Sequence, residues 1–189
     1  MPVRTARWLA IFMGAMTVLW SLMGLTAFPV AAVVVVLLGV ALVAGAVVAA
    51  GRGPVAPSAS DEPAAGEPRR TQRVFRTAVA LEFVGAIAAI VVLGKTGHPA
   101  YIMPAIALVV GLHFFVLVLA HPQFRLHIAT GVVGTVGPSV AIVLMATGSL
   151  STGAGHALAG LALALCTITY GASALRVLLT TTTSGTSTT

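Results

Sequence analysis

The feature that most limits what this chain can fold into is a series of six apolar runs, each about as long as a lipid bilayer is thick. A hydrocarbon core of about 30 Å needs about 20 residues of helix to cross it. Runs of that length occur at about 8–28, 30–50, 74–94, 101–120, 128–148 and 157–179. Lipid offers no partner to a bare N–H or C=O, so a helix, which bonds its own backbone, is the expected form of each run. The expected fold is all-α: a polytopic membrane protein with six transmembrane helices arranged as three hairpins. Composition removes the competing classes. Only 14 of 189 residues are charged (10 basic plus 4 acidic) and 58% are apolar, whereas about a quarter of the residues in a soluble domain are charged. A single cysteine, Cys166, excludes a disulfide scaffold.

What lies between the runs sets the organisation. Phe28-Pro29, Lys95 to Pro99, His121 to Arg125 and Ser149 to Gly155 read as short turns. Residues 51–73 carry Pro54, Pro57, Pro63 and Pro68 among Gly, Ser, acids and arginines, and are expected to be one flexible loop. The Thr/Ser-rich tail 180–189 is expected to be disordered. Arg4 and Arg7 precede the first run as in a secretory signal, but that run exceeds the usual h-region of about 7–15 residues, so it reads as a retained span. Residues 1–179 then form one membrane domain.

The basic residues give the orientation, because they favour the cytoplasmic ends of spans. Arg4, Arg7, Arg52, Arg69, Arg70, Arg73, Arg76, Arg125 and Arg176 fall on one side by alternate connections, and only Lys95 on the other. Both termini and the long loop are therefore expected in the cytoplasm. A pI near 11.2 would suggest nucleic acid in a soluble chain. Here the charge sits at span ends, so the expected partners are the bilayer itself and anionic headgroups near Arg69, Arg70, Arg73 and Arg76, offset by Asp61, Glu62 and Glu67. The Ala/Val/Gly/Arg-rich, Lys-poor composition is similar to that of high-GC bacteria, which points to a bacterial plasma membrane.

Helices in lipid associate through close packing of small residues. Ala10, Gly14, Thr17, Ser21 and Gly24 fall on one stripe of the first span, and Gly160, Ala164, Thr167, Gly171 and Ala174 on one stripe of the sixth. Thr130, Gly134, Gly137 and Ala141 do so in the fifth, and Ala78, Glu82, Gly85 and Ala89 in the third. Gly14, Gly85, Gly134, Gly137, Gly160 and Gly171 are the expected helix-packing positions. A composition so rich in Ala and Gly also generates such stripes without selection.

Glu82 is the one acid within a span, and a carboxylate there costs about 2.5 kcal/mol or more on insertion scales. Its stripe is otherwise small, so the side chain is expected to face another helix. Eight residues from Val74 place it about 12 Å deep. His113 stands eight residues before His121 on the next, antiparallel span, at matching depth. Against a contact, His113 lies about 200° around its helix from Gly111, away from the small stripe Ala100, Pro104, Ala107 and Gly111. Such a pair can relay protons or hold a cation or polar substrate, since imidazole titrates near neutrality; it can equally serve only to fix helix order.

The remaining histidines read as solvated and interfacial, His98 and His156 in outer turns and His121 and His127 at the inner boundary. None has metal-ligand spacing. Pro104 and Pro138 are expected to kink their helices. No nucleophile elbow, P-loop, dinucleotide fingerprint or zincin motif occurs, so the sequence gives no positive support for catalysis and implies no cofactor.

The segment Pro104 to Ala120, with Gly111, Leu112, His113 and Phe114 at mid-helix and Leu119-Ala120 at the inner end, resembles a segment of small uncharacterised bacterial multi-span proteins. The resemblance singles out His113 among the histidines and implies no activity. The favoured reading is a small transporter-like or permease-like bundle with a polar centre at Glu82 and His113; its rival is an accessory or scaffold subunit assembling through small-residue faces, as a homo-oligomer or with a membrane partner, and an intramembrane enzyme is third.

Overall fold

A computed structural model describes residues 3–51, 67–118 and 124–183. Six α-helices follow in order: α1 Val3–Gly24, α2 Pro29–Gly51, α3 Glu67–Lys95, α4 Ile102–Leu117, α5 Phe124–Ala146 and α6 Thr152–Thr183, with a short 3-10 turn Pro99–Tyr101 leading into α4. There is no strand among the described residues. Among the described residues, six helices are long and apolar enough to cross a membrane.

The helix ends depart from the apolar runs for local reasons. The first span stops at Gly24 and not near Phe28, because Leu25 to Phe28 turns the chain and Pro29, whose missing N–H costs nothing at a helix start, opens α2. α3 begins at Glu67, so 67–73, expected in the loop, is helical: Glu67 and Pro68 supply an acid and a proline at the first turn, both favourable there. Once begun, the helix needs no apolar residue to continue outside the hydrocarbon. α6 likewise runs on to Thr183, taking in the first residues of the expected tail. Gly51, also expected in the loop, ends α2; residues 52–66, His121 and residues 184–189 lie outside the described residues. Pro104 falls in the first turn of α4, where it breaks no helical bond. Pro138 is inside α5 and fully buried.

α6 is the axis of the assembly. It packs against α1, α2, α4 and α5; α1 also packs on α2, α4 on α5, and α3 on α4. The broadest contact joins α1 to α6, helices remote in sequence. All ten residues of their small stripes are buried, and the stripes meet at Gly24 with Gly160 and at Thr17 with Thr167. A Cβ on Gly24 would stand 2.7 Å from the Gly160 Cα, so no side chain fits between the two backbones. Gly14 lies as closely against the Gly39 carbonyl of α2, and a Cβ on Gly171 would meet Leu42 at 2.8 Å. Gly39 is a packing position that the nearly uniform Val/Ala/Leu sequence of α2 conceals. A Cβ on Gly111 of α4 would overlap the Gly134 carbonyl of α5, and one on Gly137 would meet the Ala162 Cβ at 2.5 Å. Ala6, Ala10, Ala46, Ala49, Ala174 and Leu178 form a cluster joining the start of α1 to the ends of α2 and α6. Arg4 and Arg176 thereby lie toward one end of the bundle, Arg4 exposed and Arg176 near the end of α6.

Candidate functional site

α3 presents Leu81, Phe83, Val84 and Ile87 outward, each more than half exposed, and turns Ala78, Glu82 and Gly85 toward α4. Gly85 permits the approach: a Cβ there would stand 2.8 Å from Val109 Cγ1. Glu82 lies one turn before Gly85 on α3, and His113 one turn after Val109 on α4. An antiparallel register that seats Val109 on Gly85 therefore carries His113 to Glu82. The imidazole Nδ1 and the carboxylate Oε2 are 3.0 Å apart, with the histidine side chain 14% and the glutamate 28% exposed. The 200° separation of His113 from Gly111 is how α4 serves two neighbours, Gly111 against α5 and His113 against α3.

The contact is one of proximity more than of alignment. Nδ1 is buried and makes no hydrogen bond of good geometry.

From His113 a stack of rings runs inward. Phe114, only 3% exposed, stacks on His113 with ring centres 4.9 Å apart and on Tyr170 of α6 with centres 5.4 Å apart. The Tyr170 hydroxyl is hydrogen-bonded to His127 Nδ1 and accepts from Thr130 Oγ1 at 3.2 Å, both on α5. Cys166, one turn before Tyr170, donates its S–H to the Thr130 carbonyl at 3.2 Å. His127 is thus buried, not solvated at the boundary as its position three residues into α5 suggests. The reason is Tyr170, which brings a polar tip into the same apolar layer and satisfies it there. A mid-span tyrosine needs such a partner, and that was the signal available in the sequence.

Nearer the centre of α1 and α6, Thr17 and Thr167 share a buried hydrogen bond of 2.8 Å, and Ser21 donates to the Thr17 carbonyl at 2.7 Å. His156 is also bound, its Nε2 2.8 Å from the Ala100 carbonyl, which ties the start of α6 to the turn before α4. His98 is exposed, as expected. Arg69 and Arg70 fall on the first turns of α3, and Arg73 and Arg76 are exposed farther along it. Among the described residues no group of three or more His, Cys, Asp or Glu side chains is placed to hold a metal ion.

Protein-family models, curated proteins and solved structures give no match to this chain. Its function has to be argued from the Glu82 and His113 pair and its surroundings.

Proposed function

We propose that this is a multi-pass protein of a bacterial inner membrane whose six helices form three hairpins, with both termini in the cytoplasm and a transport role centred on Glu82 and His113. The arginine asymmetry supports the orientation, and the helix lengths support the spans. The observation that carries the transport reading is the 3.0 Å approach of a lone intramembrane carboxylate to an imidazole on another helix. An ionisable group at that depth is costly, and a second one beside it lets a proton or a small cation be held by two groups that exchange it.

The test is flux. Purified protein in proteoliposomes should carry proton- or cation-coupled flux under an imposed gradient, and Glu82→Gln should fold normally and abolish it. Flux unchanged by Glu82→Gln would remove the transport reading.

A second reading is favoured by one observation. α3 takes its principal contact from α4 and shows a broad apolar surface elsewhere, with Phe83 65% and Val84 64% exposed. In an accessory or scaffold subunit that surface receives a helix of another copy or of a membrane partner. This reading expects co-purification lost on substituting Phe83 or Val84 with alanine; isolation as a lone monomer from native membranes would contradict it.

A further inference from the structure

Near its C-terminal end α6 carries an open groove of about 380 Å³, lined by Ala172, Leu175, Arg176, Leu179 and Thr180. These residues share one side of the helix, turned away from Tyr170 and Cys166, which face α5, and from Ala174 and Leu178, which face α1. Leu175 closes the groove toward α2, where a Cβ on Gly45 would stand 3.1 Å from Leu175 Cδ2. We infer that this groove binds an anionic phospholipid, its phosphate paired with the Arg176 guanidinium and an acyl chain running over Leu175 and Ala172 toward the middle of the span. The inference needs the bilayer but not the transport role of Glu82 and His113.

Depth and charge carry it. The apolar stretch of α6 is 29 residues long and ends at Thr180, about 44 Å of helix, which matches a bilayer with its headgroup layers. Arg176 stands about 6 Å short of that end, where headgroups meet hydrocarbon. A guanidinium at that depth needs a counter-charge or a route to water. The route is poor, because Cα–Cβ bonds in an α-helix tilt toward the N-terminus, so an arginine at the C-terminal end of a span starts out leaning toward hydrocarbon. Nor does the protein supply the counter-charge: among the described residues no carboxylate pairs with Arg176, Glu82 is engaged with His113, and Glu67 opens α3, which packs on α4. The Thr180 hydroxyl donates to the Arg176 and Val177 carbonyls at 3.1 Å each, so the donors this groove offers a ligand are those of the guanidinium.

The lining selects the ligand. A guanidinium fork matches two phosphate oxygens at once. Free phosphate would satisfy the arginine and leave Leu175 and Ala172 uncovered. A zwitterionic lipid would cover them but bring an ammonium close to a guanidinium. The same end of the bundle carries Arg4 and Arg7 at the start of α1 and Arg125 at the start of α5, and that excess of positive charge favours a headgroup with net negative charge.

The test is native mass spectrometry of the full chain in detergent, with phosphatidylglycerol or phosphatidylcholine of identical chains added. Phosphatidylglycerol should bind about fivefold more tightly. Arg176→Gln should abolish that preference and leave phosphatidylcholine binding unchanged, Arg176→Lys should keep part of it, and Arg125→Gln should leave it intact. Ala172→Trp fills the groove below the arginine and should weaken both lipids. Excess glycerol phosphate, the soluble headgroup, should displace neither. A preference that survives in folded Arg176→Gln, or falls equally in Arg125→Gln, would mean diffuse attraction and overturn the site; displacement by glycerol phosphate would overturn the lipid as its occupant. If Arg176→Gln fails to fold, Arg176→Lys and Ala172→Trp decide the question by the same readout. A chain that stays soluble without detergent would overturn the membrane placement itself, and the site with it.

Discussion

The Glu82 carboxylate and the His113 imidazole meet at 3.0 Å across α3 and α4, on the same faces that seat Val109 against Gly85. Two consequences follow. The only acid within a span has a partner, and the helix least embedded in the bundle is fixed to it by a polar contact as well as by packing. α3 buries little surface of its own, so that contact bears on its position more than it would on α6.

Removing one partner should therefore cost more than neutralising the pair. His113→Ala leaves a carboxylate unpaired beside apolar helix surface, while Glu82→Gln leaves a neutral amide. The double-variant cycle should give a coupling of about 1 kcal/mol, given the modest values measured between membrane helices. Unfolding in bicelles reads this; a coupling near zero would mean that packing alone holds α3.

The glycines divide by what lies opposite. Gly160→Ala sets a methyl 2.8 Å from the Gly24 Cα, and because that neighbour is backbone the helices must separate, at a cost of about 1–3 kcal/mol. Gly94, also helical, has nothing within 4 Å of where an alanine methyl would stand, so Gly94→Ala should stabilise α3 by about 0.5–1 kcal/mol through helix propensity. Equal effects of the two variants would contradict the close α1 and α6 crossing.

Tyr170→Phe removes the hydroxyl that bonds His127 and Thr130 while keeping the stack on Phe114. Loss of a partner from buried polar groups costs about 1–3 kcal/mol. A drop of that size in unfolding free energy is expected, with the helical circular dichroism unchanged; a variant as stable as wild type would show that the α5 and α6 contact does not depend on this cluster.

Cys166 is 1% exposed and its S–H is engaged with the Thr130 carbonyl. Buried thiols of this kind are inert. A maleimide should label the protein only after unfolding, and rapid labelling in mild detergent would place Cys166 on a surface and reopen the packing of α5 on α6.

How much of this was legible in the residues differs from element to element. The six long apolar helices were, because a run of about 20 apolar residues is what a crossing of lipid demands. Their ends were not: nothing stops a helix in water after Thr180 or before Val74 except local chemistry, and Glu67 with Pro68 favours continuing. The stripes Gly14, Thr17, Gly24 and Gly160, Thr167, Gly171 were visible by spacing, but which helix each one meets was not, since every span is rich in small residues. Gly14 meets α2 while Gly24 meets α6. Glu82 stood out by charge and His113 by depth. Phe114 and Thr130 did not, and Tyr170 marked only the need for a partner, since nothing in a span names that partner until the tertiary fold supplies it.

The transport role proposed for this bundle requires that Glu82 and His113 meet in a lipid bilayer. Magic-angle-spinning NMR of protein labelled with 13C-glutamate and 15N-histidine and reconstituted in lipid measures that directly, since Glu82 is the one glutamate inside a span. A through-space correlation between the Glu82 carboxyl carbon and His113 Nδ1, lost in His113→Ala, is the expected result. Its absence in folded wild-type protein would contradict the pairing and the transport role built on it.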